Sequence, residues 1–404
     1  MATPAGFQAL PLPLIQLSLA AVLKCGQSFR WSILPLPTPS DPIIPAQEYR
    51  LCLRDRVVCL RQSQTALFYR SAFPDPQPSA TQLQLREAET LLWLNDYFQL
   101  SIDLSKLYDE WAARDIVFSG LKERFGGIRI LRQDPWENLI SFICSSNNNI
   151  SRITKMVQSL CKQYSPALLS IHDPPGHEAH TYHPFPPPSV LAAPSVTATL
   201  RSLGFGYRAG FIQKTAQMLV DAHGTTEAGR ESSELWLESL RGLATADARA
   251  ELLKYMGVGR KVADCILLMS LDKKEVIPVD THVHQIAIKH YGFKGSLKGK
   301  VPMTPKLYED VNSKLVDVWG DYAGWAHSVL FTSDLKSFAS YGVQGPAPPS
   351  PVKGSKRSRV ESLLPTPPTT PLPSPLKRKA SSVPFESSNE PASLAERVKR
   401  LKRK

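Results

Sequence analysis

Between Lys254 and His282 the chain reads KYMGVGRKVADCILLMSLDKKEVIPVDTH, and this stretch constrains the fold more than any other. A Gly257-Val258-Gly259 turn opens an apolar-periodic run, which predicts a helix starting near Arg260. Lys261 falls in its first turn. Pro278-Val279-Asp280 then leads into a second helical run, with Asp280 placed to cap a helix beginning at Thr281. Amides at a helix N-terminus lack intrahelical partners and bind phosphate. The stretch therefore predicts a helix-hairpin-helix over about residues 250–270, with an amine and a carboxylate brought beside a phosphate site. Each feature alone is ordinary. Gly-x-Gly turns are common, helix-start lysines are usually solvated, and an N-cap aspartate needs no further role. It is their order, with Asp280 19 residues after Lys261, that points to chemistry.

Charge divides the chain. Of its 404 residues and net charge of +12, residues 345–404 hold 13 Lys/Arg against 4 Asp/Glu, or +9, which leaves +3 for the rest. Any nucleic-acid binding by the first 344 residues must come from placed side chains rather than a general positive surface. Residues 345–404 are rich in Pro, Ser, Thr and Lys and poor in apolar residues, so a disordered tail is expected. Its basic clusters at Lys353–Arg359, Lys377–Lys379 and Arg397–Lys404 read as signals for the nuclear import machinery or as nucleic-acid patches, and place the protein in the nucleus. Six cysteines are scattered without a C-x-x-C pair, as in an intracellular protein with reduced thiols. No apolar run suggests a membrane span, and a monomer without membrane contact is expected.

The hydrophobic period changes once. Up to residue 75, short runs at Tyr49–Leu53, Val57–Arg61 and Ala66–Tyr69 predict strands. From about Thr81 the period turns helical and stays so to about residue 340. The fold class is α+β: an antiparallel sheet domain (1–119), a mainly helical domain (120–344) and the tail (345–404). Residues 172–188, HDPPGHEAHTYHPFPPP, predict a loop on proline content, and their four histidines read as a flexible insertion rather than a metal site.

Four further segments complete a pattern: Gly26-Gln27-Ser28-Phe29-Arg30-Trp31, Ser145-Ser146-Asn147-Asn148-Asn149-Ile150, Gly206-Tyr207-Arg208, and Gly324-Trp325-Ala326-His327. Taken in this order with VGRKVADC, the chain from about Ser18 to Lys336 resembles the eukaryotic 8-oxoguanine DNA glycosylase family. The resemblance implies a TATA-binding-protein-like antiparallel domain packed on a helix-hairpin-helix glycosylase domain. It implies excision of 8-oxoguanine opposite cytosine from double-stranded DNA in base excision repair, then strand nicking by β-elimination. Lys261 matches the nucleophile and Asp280 the assisting aspartate. Gly26, Cys265, His327 and Phe331 match the base-binding positions, with Cys265 and Phe331 sandwiching the base and the Gly26 carbonyl reading its N7–H. Asn147 matches the residue that fills the hole in the duplex, Tyr207 a wedge, and Arg152 and Arg208 readers of the orphaned cytosine. Gly257, Gly259, Val262 and His282 match phosphate contacts, with Asp334 placed to orient His282. No cofactor or catalytic metal is implied.

Residue chemistry adds its own expectations. An amine attacks a carbon only when unprotonated, and burial at a helix N-terminus predicts a lowered Lys261 pKa. Lys261 and Cys265 are i, i+4, as are His327 and Phe331, so each pair shares a helix face. The chain departs from the family at Met256, where proline is usual, and at His327, where a glutamine reads the base. A histidine there predicts an acid-side dependence of recognition near pH 6.5. It also keeps open a glycosylase for other oxidised or alkylated bases. A non-catalytic helix-hairpin-helix DNA-binding protein is the other alternative.

Overall fold

The computed structural model describes residues 3–36, 46–172, 179–225, 229–295 and 303–343. Strands β1 (Gln8–Pro11), β2 (Ser32–Pro35), β3 (Gln47–Cys52), β4 (Val57–Gln62) and β5 (Ala66–Ala72) form one antiparallel sheet in the order β1-β5-β4-β3-β2. Both faces are covered, which explains why β4 opens on an unbroken apolar run rather than an alternation. On one face Tyr49, Leu51, Val58, Leu60, Leu67 and Tyr69 pack with Trp31, Leu94, Tyr97 and Phe98. The last three follow from the Ala80–Tyr97 helix, which starts in a capping box of Ser79 and Gln82. On the other face Cys52, Val57, Cys59 and Phe68 pack with Phe7 and Tyr182.

Tyr182 corrects one expectation. Proline content put residues 172–188 in a loop, yet His180–Tyr182 is a strand paired with Leu169–Ile171. Its anchor is the Tyr182 ring, buried against the sheet, with its hydroxyl 3.3 Å from Arg50 Nη1. Arg50 also donates to the fully buried Glu48 at 2.6 Å. That burial is long-range information that local composition does not carry. Residues 173–178 and the tail lie outside the described residues. Among the described residues no helix is long and apolar enough to cross a membrane, and no group of three or more metal-ligating side chains occurs.

The helical region is organised around Pro135–Ser145, a helix buried along most of its length, with Arg260–Ser270 packed against it. The late helix Ala323–Asp334 is equally enclosed. Gly324 shows why it can lie so close. A Cβ there would stand 2.3 Å from the Val276 carbonyl oxygen and 2.8 Å from that of Lys274. The Gly324 amide donates to the Lys274 carbonyl at 2.9 Å. The late helix and the strap that carries Asp280 are thus held backbone to backbone.

Candidate active site

The hairpin runs from the Thr245–Leu252 helix into Arg260–Ser270. Gly257 takes φ +83°, and a Cβ there would meet Phe211 Cδ2 at 2.7 Å, so only glycine makes this turn. Gly259 is the N-cap and offers no side-chain cap. The first-turn amides, those of Lys261 and Val262 included, are therefore left to an external anion. One residue that sequence reasoning passed over holds the arrangement together. Asp264, fully buried in the middle of the apolar run, accepts from Arg249 Nε at 2.6 Å, Arg260 Nε at 3.1 Å and the Tyr308 hydroxyl at 2.6 Å. The same hydroxyl accepts the Val279 amide at 3.0 Å. Asp264 so couples the hairpin to the residue before Asp280. The available signal was a charged residue inside an otherwise apolar helix face.

Lys261 and Asp280 share the wall of a cavity of about 650 Å³ with Gly26, Phe142, His282 and Phe331. The Lys261 ammonium sits 5.4 Å from the centroid of the Phe142 ring. Asp280 caps the Thr281–His290 helix as expected, one carboxylate oxygen accepting from the His282 amide at 2.9 Å and the Val283 amide at 3.1 Å. That double bond fixes the carboxylate's direction. The expected lowering of the Lys261 pKa is not what the free protein has. Burial does pull it down, but the Cys265 sulfur and the Asp280 carboxylate hold it up, and the net direction is upward. Burial pushes the Cys265 thiol up to about 11, so it is neutral at pH 7 and Asp280 is the standing counter-charge. Without DNA the amine is therefore a buried ammonium under the influence of the Cys265 sulfur and the Asp280 carboxylate.

Gly26 is positioned by its neighbour. Gln27 donates to the Arg129 carbonyl at 3.0 Å and accepts the Leu131 amide at 3.0 Å, while its own carbonyl accepts from Gln133 Nε2 at 2.9 Å. Phe29 then meets Phe142 edge-on at 5.8 Å. Sequence reading valued GQSFRW as a motif and missed Gln27 as its anchor. Cys265 and His327 stand behind the cavity wall rather than on it, whereas Phe331 is half-exposed on it. The His327 ring lies 6.0 Å from that of Phe331 and is 6 % exposed, and neither ring nitrogen has a hydrogen-bond partner. Against the larger effect of burial, the Asp280 charge and the Gly324 backbone one turn back pull its pKa up. Burial lowers the His327 pKa to about 4, so the acid-side dependence expected near pH 6.5 moves well below it.

The four residues expected to meet the opposite strand come together at another edge. Asn147, exposed at φ +47°, lies between the Pro135–Ser145 and Ile150–Tyr164 helices. Its neighbours Asn148 and Asn149, not Asn147 itself, line the cavity. Arg208 is 3 % exposed and lies 4.5 Å from the Tyr207 ring centroid. It donates Nη2 to the Ser146 carbonyl and, at 3.1 Å, to that of Asn147. The Tyr207 hydroxyl donates to the Ser146 carbonyl at 3.1 Å, and Arg152 donates to the Gly204 carbonyl at 3.0 Å. His282 is half-exposed and edge-on to Phe331 at 6.0 Å. Its Nδ1 is 3.7 Å from Asp334 Oδ2, beyond hydrogen-bond range, while Asp334 Oδ1 accepts from Lys289 Nζ at 2.7 Å.

A reaction at a sugar carbon needs the phosphate chain held, a nucleophile fixed near it and room for a base turned out of the duplex. The hairpin amides, Lys261 with Asp280, and the cavity meet those needs, and the class they define is the helix-hairpin-helix DNA glycosylases. Comparison with known proteins narrows it. Residues 9–139 match the 8-oxoguanine DNA glycosylase N-terminal domain, and residues 140–309 match the HhH-GPD superfamily of base excision DNA repair proteins. The N-glycosylase/DNA lyase of Saccharomyces cerevisiae is 37% identical over 338 residues, 79% of this chain and 84% of that one. The N-glycosylase/DNA lyase of Arabidopsis thaliana is 37% identical over 335 residues, 82% of this chain and 81% of that one. The 8-oxoguanine glycosylase/lyase of Clostridium acetobutylicum superposes with a TM-score of 0.60 at 25% identity, over 78% of this chain and 93% of that one. The chain belongs to the 8-oxoguanine DNA glycosylase family, and it is a bifunctional N-glycosylase and DNA lyase.

Proposed function

We propose that the protein removes 8-oxoguanine paired with cytosine through a covalent amine intermediate on Lys261. The observation that carries this reading is that Lys261 and Asp280 wall the same base-sized cavity as Gly26 and Phe331. On binding of the duplex the ammonium gives up its proton, and Nζ attacks C1′. The glycosidic bond breaks with its electron pair leaving on the base, which takes up a proton. Opening of the sugar ring gives a protonated imine on Lys261. Loss of a C2′ proton then expels the 3′ phosphate and nicks the strand. The Asp280 carboxylate, held by two amides, stabilises positive charge growing on the sugar.

In this reading Phe331 stacks on the base, Cys265 backs the other wall, and the Gly26 carbonyl accepts the N7–H that guanine lacks. A lone pair facing the same carbonyl rejects guanine. Asn147 enters the duplex hole and Tyr207 wedges the opposite strand. Arg152 and Arg208 read cytosine's acceptors, and His282 with the amides of Gly257, Gly259 and Val262 holds the backbone. His327 backs Phe331 from within the protein rather than bonding the base directly, a placement supported by its depth and its position behind the cavity wall. The protein acts as a monomer in the nucleus, drawn there by residues 345–404, with domain limits at 1–119 and 120–344.

The test is Lys261→Gln on a duplex holding 8-oxoguanine opposite cytosine, followed by single-turnover kinetics. Base release and nicking fall together by on the order of 10⁴-fold or more, as when a covalent nucleophile is lost, while binding of the duplex persists. Base release at the wild-type rate refutes the amine mechanism.

A further inference from the structure

The turn at residues 124–127 holds two segments of the base cavity at once. Gly127 takes φ +80°, and its carbonyl accepts the Ser18 amide at 2.8 Å. A Cβ there would stand 2.0 Å from the Leu14 carbonyl oxygen, so only glycine lets the two chains meet. Ser18 opens the short stretch that ends in Gly26. From the other end of the turn, Arg124 reaches the residues that follow the late helix. Its Nε donates to the Tyr341 carbonyl at 2.7 Å, and its Nη2 to the Phe338 and Ala339 carbonyls at 3.1 and 2.6 Å. A guanidinium suits this task, because its planar fork of donors fastens several carbonyls in one geometry. Phe125, fully buried, stacks on the Tyr341 ring at 5.7 Å. The Tyr341 hydroxyl is hydrogen-bonded to that of Ser18 at 2.8 Å and closes the circuit.

Leu335, Ser337, Phe338 and Tyr341 line the cavity together with Phe331 and Gly26. The 335–341 segment therefore ties the helix that carries Phe331 to the stretch that leads to Gly26. We propose that this segment fixes the gap between the Phe331 ring and the Gly26 carbonyl, and that Arg124 is the positioning residue that sets it. The inference rests on the reading of those two groups as base contacts. A ring that stacks on a base and a carbonyl that accepts its N–H must stand at one spacing, because a hydrogen bond made near 3 Å is lost by about 3.6 Å. The gap so selects the base. Lys261 and Asp280 are held separately, through the hairpin, Asp264 and Tyr308.

Two single-turnover assays on the full-length protein separate these roles. One follows excision from a duplex holding 8-oxoguanine opposite cytosine. The other follows nicking of a preformed abasic site opposite cytosine, which needs Lys261 and Asp280 but brings no base. Arg124→Ala slows excision by about tenfold, the scale of one displaced charge-assisted hydrogen bond, and leaves nicking nearly unchanged. Arg124→Lys, which keeps the charge but not the fork, falls between. Urea unfolding checks that the variants fold. Should Arg124→Ala not fold, Tyr341→Phe, which loses only the bond to Ser18, shows the same split at about threefold. Excision and nicking that fall together, or excision that holds in every variant, overturn the proposal and leave the Lys261 reading intact. A wild type that does not nick the abasic site refutes that reading, and the proposal with it.

Discussion

The pair proposed as catalytic and the edge proposed to meet the opposite strand are built in contrasting ways. Lys261 and Asp280 sit on elements locked from behind by Asp264, Tyr308 and the Gly324 contact. Their geometry exists before substrate arrives. At the other edge Arg208, Tyr207 and Arg152 spend their donors on the carbonyls of Ser146, Asn147 and Gly204. Those carbonyls present the kind of acceptor that an orphaned cytosine would offer. One region is preorganised, whereas the other is internally satisfied and, on the proposed reading, exchanges partners when it binds. The contrast teaches that chemistry and partner choice need not share one degree of readiness. A rigid nucleophile keeps reacting atoms in place, and a self-satisfied reader charges a cost that the correct opposite base refunds.

The strongest way to break the comparison is to loosen the rigid half. Gly324→Ala places a methyl 2.3 Å from the Val276 carbonyl, so the late helix must move off the strap. The expected loss is about 3 kcal/mol in urea unfolding, at the upper end for overpacking, with slower excision because Asp280 shifts. Unchanged stability and rate would mean that the strap is not held as described.

Next in size is the flexible half. Arg208→Ala removes a buried side chain that ties down the 146–147 turn as well as a proposed cytosine reader. The preference for cytosine over adenine opposite the lesion falls by about 2 kcal/mol, while affinity for undamaged duplex changes little. Arg152→Ala, with a single carbonyl partner, loses less, about 1 kcal/mol of preference. If both variants keep the preference and lose affinity uniformly, the arginines are phosphate contacts.

The smallest effect concerns His327. Its folded pKa of about 4 lies below the ordinary value, so between the two the unfolded chain holds the extra proton and stability falls as pH drops. From pH 7.5 to 5.5 the wild type loses about 1 kcal/mol that His327→Gln keeps. Excision profiles of the two run parallel over that range, because the imidazole stays neutral. A wild-type excision rate that drops near pH 6.5, and does not in the variant, would restore the direct base-reading role.

What sequence made legible follows the same division. The helix start at Arg260, the cap at Asp280 and the strands from Gln47 to Ala72 come from local rules of turn, cap and period, and they stand where those rules put them. The family match on GQSFRW, the NNN segment and the lysine hairpin is likewise local. What escaped was set by distant partners. The His180–Tyr182 strand exists because Tyr182 meets Arg50 far back in the chain. The Lys261 pKa is held up by the Cys265 sulfur one turn on and by Asp280, which a separate segment supplies. Gln27, Asp264 and the paired state of Arg208 became visible only when the segments that satisfy them were brought together.

The central claim is that Lys261 forms the covalent link to DNA. Borohydride reduction during turnover on a duplex containing 8-oxoguanine opposite cytosine, with peptide mapping of the trapped species, tests it most directly. The account predicts one protein–DNA adduct, carried on Lys261 and absent from Lys261→Gln. Normal base release without any trapped adduct, or an adduct on another amine with Lys261 unmodified, would contradict it.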